Sequence, residues 1–254
     1  MEKPLILITN DDGVNSKGLR HLAHIACEFG EVVVMAPDHN ASGVSTSITC
    51  TRPLRAFKVE EEEGITYYAC DGTPADCVKM GHEHFCPRKP SLVLSGINYG
   101  TNASINVVYS GTMGAVIEGC LNGYSAVGFS LLTHSSSASF DGCSATIRHI
   151  IGQVLAKPLP KMSALNVNIP YLPEGEIKGI KVCRQAQAAW VDSLTPRTDP
   201  VGRPYWWMTG KFVCDDMAED TDQYALGNGY VSVVPVTPDL TDTKNINNIK
   251  NLEL

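Results

Sequence analysis

Over the first half of the chain, short unbroken apolar runs alternate with stretches of helical periodicity. Leu5-Ile6-Leu7-Ile8 gives way to polar residues 9–16, and Leu19, Leu22, Ala23 and Ala26 then recur at helical spacing. Gly30 is placed to stop that helix, and Val32-Val33-Val34-Met35-Ala36 follows as a second apolar run. A short continuous run of this kind is what a parallel strand needs when both its faces are covered. The segment therefore predicts a β-α-β unit with a right-handed crossover. Leu92-Val93-Leu94 and Ala126 to Leu132 predict two more buried strands, with a helix over Thr112 to Leu121 between them.

Residues 54–59 and 65–70 predict a hairpin whose turn, Glu60-Glu61-Glu62-Glu63-Gly64, is solvated. Thr73-Pro74-Ala75-Asp76 carries an N-cap, a proline at the first helical position and a capping-box acid. Thr133 to Ser139 reads as a Ser-rich loop, Ala145 to Leu155 as a helix, and Leu165-Asn166-Val167-Asn168-Ile169 alternates like a strand. Beyond Cys183 the helical periodicity fades, and Trp190, Tyr205, Trp206 and Trp207 appear among Arg, Asp and Pro. The expected organisation is an α/β core over 1–183, an extended aromatic-rich arm over 184–236 and a tail over 237–254. Large aromatics in so irregular a segment would be exposed in a monomer. The arm is therefore expected to hold a homodimer or tetramer together.

Composition narrows the classes. The 254 residues are 43% hydrophobic and 19% charged, which is too apolar for intrinsic disorder. A net charge of −7 without a basic stripe argues against a nucleic-acid duplex as partner. No apolar run approaches the roughly 20 residues that cross a bilayer, so no membrane partner is expected. Met1-Glu2-Lys3-Pro4 runs into a five-residue apolar stretch too short for a signal peptide. The nine cysteines are odd in number and form no CxxC pair, which disfavours a disulfide framework and a zinc ribbon. The expectation is a cytoplasmic protein with reduced thiols.

Ligands of open parallel sheets bind at the carboxyl ends of the strands, so the residues just after each apolar run carry the interest. After the first come Asn10-Asp11-Asp12-Gly13, and after the second Pro37-Asp38-His39-Asn40-Ala41-Ser42-Gly43. After the third come Ser95-Gly96-Ile97-Asn98-Tyr99-Gly100-Thr101-Asn102, then Ser110-Gly111-Thr112 opening a helix. Adjacent Asp residues repel one another, and a hard divalent cation relieves that repulsion. Asp11, Asp12, Ser42 and Asn98 supply the carboxylate, hydroxyl and amide oxygens that Mg²⁺ or Mn²⁺ prefer. Asp-Asp-Gly also suits a bare turn or cap, but its place directly after a buried first strand favours the ligand reading. Ser110, Gly111 and Thr112 at a helix start, with Ser42-Gly43 as a second small nest, form an anion site in outline. His39 stands in the same edge, facing either substrate or solvent. A cation beside a helix N-terminus implies phosphoryl chemistry.

Several other patterns are absent. Asp11-Asp12-Gly13 lacks the DxDxT spacing of aspartyl-phosphate phosphatases, and no GxGxxG, P-loop or HExxH occurs.

The loops resemble the stationary-phase survival protein SurE family. The resemblance is carried by Ile8-Thr9-Asn10-Asp11-Asp12-Gly13, Ala36-Pro37-Asp38 with Ser42-Gly43, Gly72-Thr73-Pro74-Ala75-Asp76-Cys77-Val78, residues 95–102 and Tyr109-Ser110-Gly111-Thr112. It extends to Asp199-Pro200-Val201-Gly202-Arg203-Pro204-Tyr205-Trp206-Trp207, which looks like the family's extended arm. It implies a Rossmann-like, mostly parallel sheet with helices on both faces, and a metal-dependent 5′-nucleotidase. The implied metal ligands are Asp11, Asp12, Ser42 and Asn98, the set reached from the chemistry. Gly43, Asn102, Ser110, Gly111 and Thr112 are the expected phosphate-binding residues. The family pattern has Gly and Asp where this chain has Ser104 and Asn106.

The expected reaction is hydrolysis of nucleoside 5′-monophosphates, with 3′-monophosphates as a further class. One divalent cation, Mg²⁺ or Mn²⁺, would polarise phosphorus, and N–H groups at Gly111 and Thr112 would take developing charge. Asp11 or Asp12 would accept the proton of an attacking water, direct attack by an Asp being the other route. The rival readings are a metal-dependent nucleotide-binding regulator that does not hydrolyse, and a phosphatase of another small phosphomonoester.

Overall fold

The computed structural model describes residues 3–135 and 137–252. Residues 1, 2, 136, 253 and 254, at the ends of the expected core and tail and inside the Ser-rich loop, lie outside the described residues.

The chain forms β1 (Leu5–Thr9), α1 (Lys17–Cys27), β2 (Glu31–Pro37), β3 (Ala56–Glu62), β4 (Ile65–Cys70), α2 (Pro74–Met80), β5 (Leu92–Tyr99) and α3 (Gly111–Leu121). It continues through β6 (Ala126–Leu132), α4 (Ser144–Ala156), β7 (Ala164–Pro170), β8 (Ile180–Val182), β9 (Ala188–Thr198), β10 (Pro204–Cys214), α5 (Asp222–Gly227) and β11 (Val231–Val236). Nine strands make one sheet in the order β3-β4-β2-β1-β5-β6-β7-β11-β8. The six inner strands from β4 to β7 pair in parallel, while β3 pairs antiparallel with β4 and β11 antiparallel with β7.

The apolar runs explain the layering. Alternate residues of a strand point to opposite faces. Ile6 and Ile8 of β1 pack with Leu19 and Leu22 of α1 and with Ile147 and Ile151 of α4. Leu5 and Leu7 pack on the other face with Val78 of α2 and with Met113 and Val116 of α3. This is a doubly wound, Rossmann-like sheet. Its strand order reverses direction between β1 and β5, which is the switch point where such sheets bind ligands. Among the described residues, no helix is long and apolar enough to cross a membrane.

The Thr73 cap forms as the sequence predicts. The Thr73 hydroxyl accepts from the Asp76 N–H at 3.1 Å, and the Asp76 carboxylate accepts from the Thr73 N–H at 2.9 Å. Two local expectations change. Gly30 does not end α1, which stops at Cys27 with Glu28 as a right-handed cap. A Cβ at Gly30 would overlap the Pro4 carbonyl oxygen, so the glycine serves the close approach of two chain segments. Glu60 to Glu62 are not turn residues but extend β3, and the turn narrows to Glu63-Gly64. Arg20 meets Glu60 at 2.6 Å and Glu62 at 3.4 Å, while Glu60, Glu61 and Glu63 stay exposed to solvent.

The segment expected as one arm divides. Residues 188–214 form a separate antiparallel hairpin, registered from Ala188↔Cys214 to Thr198↔Pro204. Trp206, Trp207 and Met208 on it are more than half exposed. Residues 222–236 return to the core: α5 packs on the sheet, and β11 inserts between β7 and β8.

Candidate active site

Three chain segments converge above the switch point. Asn10 builds the first turn, accepting from the Gly13 N–H at 3.2 Å and donating to the Gly13 carbonyl at 3.1 Å. That turn is stitched to the loop after β2, because the Ala41 N–H donates to the Asp11 carbonyl at 2.7 Å and Val14 donates to Pro37 at 2.8 Å. Gly111 closes the third side. A Cβ there would lie 2.8 Å from Asp11 Cβ and 3.2 Å from the Ala41 carbonyl, a space only glycine leaves open. From β5, next to β1 in the sheet, the Tyr99 N–H reaches the Asp12 carboxylate.

The expected cation donors take distinct positions. Asp11 is buried, and its Oδ1 accepts from the Thr112 hydroxyl at 2.6 Å. The backbone N–H groups of Gly111 and Thr112 lie on the same side and favour its charged form. Asp12 is partly buried, and its Oδ2 is enclosed without a hydrogen-bond partner. Asn98 donates its NH₂ to the Gly100 carbonyl at 2.9 Å, which leaves its side-chain oxygen free to accept. Ser42 follows Ala41 directly and is exposed, its N–H turned to Asn40 at 2.9 Å. His39 pairs with Asp38 at 2.7 Å.

The expected phosphate residues are placed differently from one another. Gly43 is exposed with nothing near its Cβ position. Ser110 caps α3, accepting from the Met113 N–H at 3.1 Å. The N–H groups of Gly111 and Thr112 face the Asp11 carboxylate, so in this structure the anion at the helix N-terminus is the protein's own. Asn102 is buried and spends its groups on the scaffold. It donates from its side chain to Ser130 Oγ at 2.8 Å and from its backbone to Asn168 Oδ1 at 2.7 Å.

Sequence reasoning did not single out that scaffold. Asn166 donates to the Asn102 carbonyl at 2.9 Å, Asn168 donates to Asn166 at 3.0 Å, and Thr101 donates to Asn168 at 3.0 Å. The signal was present as two amides at period two in an otherwise apolar strand. Buried amides need partners, and here their partners are Thr101 and Asn102 in the loop that follows Asn98 at the end of β5. Ser104 extends the scaffold. It is buried with φ of 57°, donates its N–H to Asp222 at 2.7 Å and its hydroxyl to the Ala186 carbonyl at 2.9 Å. A left-handed residue with a Cβ costs about 1–2 kcal/mol, and the hydroxyl bond returns about 1 kcal/mol. Ser104→Gly is therefore expected to stay within about 1 kcal/mol of wild type in urea melts, while Ser104→Ala, keeping the strain and losing the bond, falls below it. Equal stability of the two variants would show that the backbone there is unstrained.

The electrostatics suit a cation. Burial pushes the Asp12 carboxyl up to about 6, the Asp11 charge adds to the rise, and the Tyr99 N–H opposes it. Burial raises Asp11 too, against the bonds from Thr112 and Gly111 that favour its charged form. Two carboxylates held where neither ionises comfortably, one with an unpartnered enclosed oxygen, are what a hard divalent ion relieves. Among the described residues no group of three or more His, Cys, Asp and Glu that could hold a metal ion occurs.

Fold and site together define a doubly wound α/β protein with an acidic, oxygen-rich centre at its switch point. The comparisons with known proteins place it further. The sequence model of a family described as "Survival protein SurE" matches residues 6–192. The protein named 5′-nucleotidase SurE of Christiangramia forsetii is 51% identical over 94% of this chain and 93% of its own. That of Phocaeicola vulgatus is 47% identical over 100% and 98%. The crystal structure of SurE from Aquifex aeolicus, 40% identical, superposes with a TM-score of 0.85 over 99% of this chain and 100% of its own. The chain belongs to the SurE family.

Proposed function

We propose that the chain is a metal-dependent 5′-nucleotidase that releases phosphate from nucleoside 5′-monophosphates, with 3′-monophosphates as a further substrate class. The observation that carries the reading is the Asp11–Asp12 pair at the switch point, with Asp12 Oδ2 enclosed and unpartnered. Relatives named 5′-nucleotidase SurE, matching nearly end to end at 51% and 47% identity, support it.

In this reading Asp11, Asp12, Ser42 and Asn98 hold one divalent cation, Mg²⁺ or Mn²⁺. Such an ion supplies a Lewis acid toward phosphoryl oxygens and lowers the pKa of water. Asp11 is the fixed member of the pair, pinned by Thr112 and the start of α3. Asp12, with its free oxygen, is the one placed to take the proton of an attacking water. The open turn at Ser42-Gly43 leaves room beside them for phosphate. Ser110, Gly111 and Thr112 act on that phosphate through Asp11 and the positive end of the helix, and Asn102 acts by holding its loop. The nine free cysteines support a cytoplasmic location.

Phosphate release from AMP, 3′-AMP and a non-nucleotide phosphomonoester, with Mg²⁺, Mn²⁺ or chelator, tests the activity. Release from AMP that chelator abolishes is the expected result. Metal-dependent AMP binding without release would make the chain a nucleotide-binding regulator instead.

The hairpin of β9 and β10 is the proposed contact of a homodimer or tetramer. Trp206 and Trp207 are 57% and 62% exposed on it, and aromatic surface of that kind marks interfaces. Light scattering is expected to give a dimeric or tetrameric mass at micromolar concentration, and a lower mass when both tryptophans become serine. A wild-type monomer would end this assignment.

A further inference from the structure

Between the switch-point site and the hairpin lies a helical turn over Ser104–Val108. Its attachments run in both directions. On the hairpin side, Trp190 of β9 donates its indole N–H to Asn106 Oδ1 at 2.7 Å, and the Trp190 ring packs on Phe212 of β10 at 5.7 Å. At the root of the hairpin, the buried Asp222 accepts from the N–H groups of both Ser104 and Ala186, at 2.7 and 3.0 Å. On the site side, Ser45 donates its hydroxyl to the Val108 carbonyl at 2.7 Å and its N–H to the Tyr109 carbonyl at 3.1 Å. Ser45 is three residues from Ser42, and its φ of 56° is a conformation that a residue with a Cβ holds only under constraint. The constraint is this pair of bonds.

We propose that Asn106 is a positioning residue: by accepting the Trp190 indole N–H it seats the 104–108 turn on the hairpin, and that turn holds the Ser42 loop in its working geometry. The inference rests on reading the loops after β1, β2 and β5 as the catalytic site. Asn106 touches neither substrate nor cation in this account. It acts through Ser45, as a strut between an exposed hairpin and a catalytic loop. An Asp at position 106 would accept the same bond.

The test uses the full chain and four variants: Trp190→Phe, Asn106→Ala, Asn106→Asp and the Trp190→Phe/Asn106→Ala pair. Trp190→Phe removes the donor and keeps a ring against Phe212. Trp190→Phe and Asn106→Ala are each expected to lower kcat for AMP about tenfold, since small misplacements of catalytic groups carry costs of this order. KM, melting temperature and mass by light scattering should stay near wild type. The double variant should be no worse than either single, because both remove the same bond, and Asn106→Asp should restore kcat. Unchanged kcat in the singles overturns the proposal, and so do additive losses. A kcat loss that tracks loss of folded protein and that Asn106→Asp does not restore also overturns it. If the wild type releases no phosphate with either cation, the catalytic reading falls, and hydrogen exchange decides the inference alone. Faster exchange of the Ser45 and Tyr109 amides in Asn106→Ala and Trp190→Phe supports the strut, and unchanged protection overturns it.

Discussion

Asp12→Asn is expected to lose at least about a hundredfold in phosphate release while melting higher than wild type in the absence of metal. Both effects come from one charge. Burial and the neighbouring Asp11 hold the Asp12 carboxyl up to about 6 against an ordinary value of 3.8, so ionising it near neutral pH costs folding free energy. The shift corresponds to roughly 2 kcal/mol once partial solvent access is allowed for, or about 5 °C in a chain of this size. The sign follows from proton uptake. Between pH 3.8 and about 6 the folded state binds more protons at Asp12 than the unfolded state, so stability rises as pH falls through that window. Metal-free wild type should therefore gain melting temperature from pH 7 to 5 relative to Asp12→Asn, which has no such group. A cation bound only by the folded protein reverses the order. At one hundred times its Kd it adds about 2.7 kcal/mol to wild type, and little to a variant lacking a charged donor. If Asp12 were only a turn residue, asparagine would serve nearly as well, activity would survive, and metal would shift neither melt. Thermal melts at two pH values with and without Mg²⁺, run beside the phosphate assay, separate the two cases.

The inner sheet was legible because buried parallel strands must be apolar throughout, and Leu5 to Ile8 and Val32 to Ala36 can be little else. The cap at Thr73 was legible because a capping box is a local reaction of four residues with their own backbone. What failed depended on distant segments. Gly30 carries the signature of a helix stop, yet its reason is the Pro4 backbone passing over it, from the lead-in to β1 twenty-six positions earlier. Glu60 and Glu62 read as turn residues because Arg20, which pairs with both, comes from another element. β11 was hidden because its short alternating run follows an aromatic-rich hairpin that sets the texture of the whole C-terminal third. At the site, residue types pointed to the proposed cation set, since adjacent carboxylates after a first strand need an explanation. Their division of labour was not readable. That Asp11 takes the Thr112 hydroxyl at the start of α3, and that Asn166 and Asn168 hold the loop after Asn98, follow only from strand order and register.

Gly114→Ala is expected to cost about a hundredfold in kcat, although alanine is the better helix former. Gly114 sits one turn into α3, and a helix interior gains about 1 kcal/mol when glycine becomes alanine. Here the added Cβ would overlap the Ser45 carbonyl oxygen and lie 2.8 Å from its carbon and 3.1 Å from Thr46 Cα. Those are backbone atoms and cannot rotate away. The loop must retreat by on the order of 1 Å, against the two bonds that hold Ser45 to Val108 and Tyr109, and it carries Ser42 with it. Overpacking of this kind costs about 1–3 kcal/mol, so the helix gain is offset and net stability changes modestly while geometry at the site is lost. Gly152→Ala in α4 is the control. Its Cβ would meet only Phe29 Cε1 at 3.5 Å, an ordinary contact, so there the propensity gain should appear and activity should persist. Kinetics and urea melts of the two variants side by side distinguish a loop clash from a general effect of alanine in helices. A Gly114→Ala protein with wild-type kcat would show that the Ser42 loop moves freely and that its seat on α3 does not set the catalytic geometry.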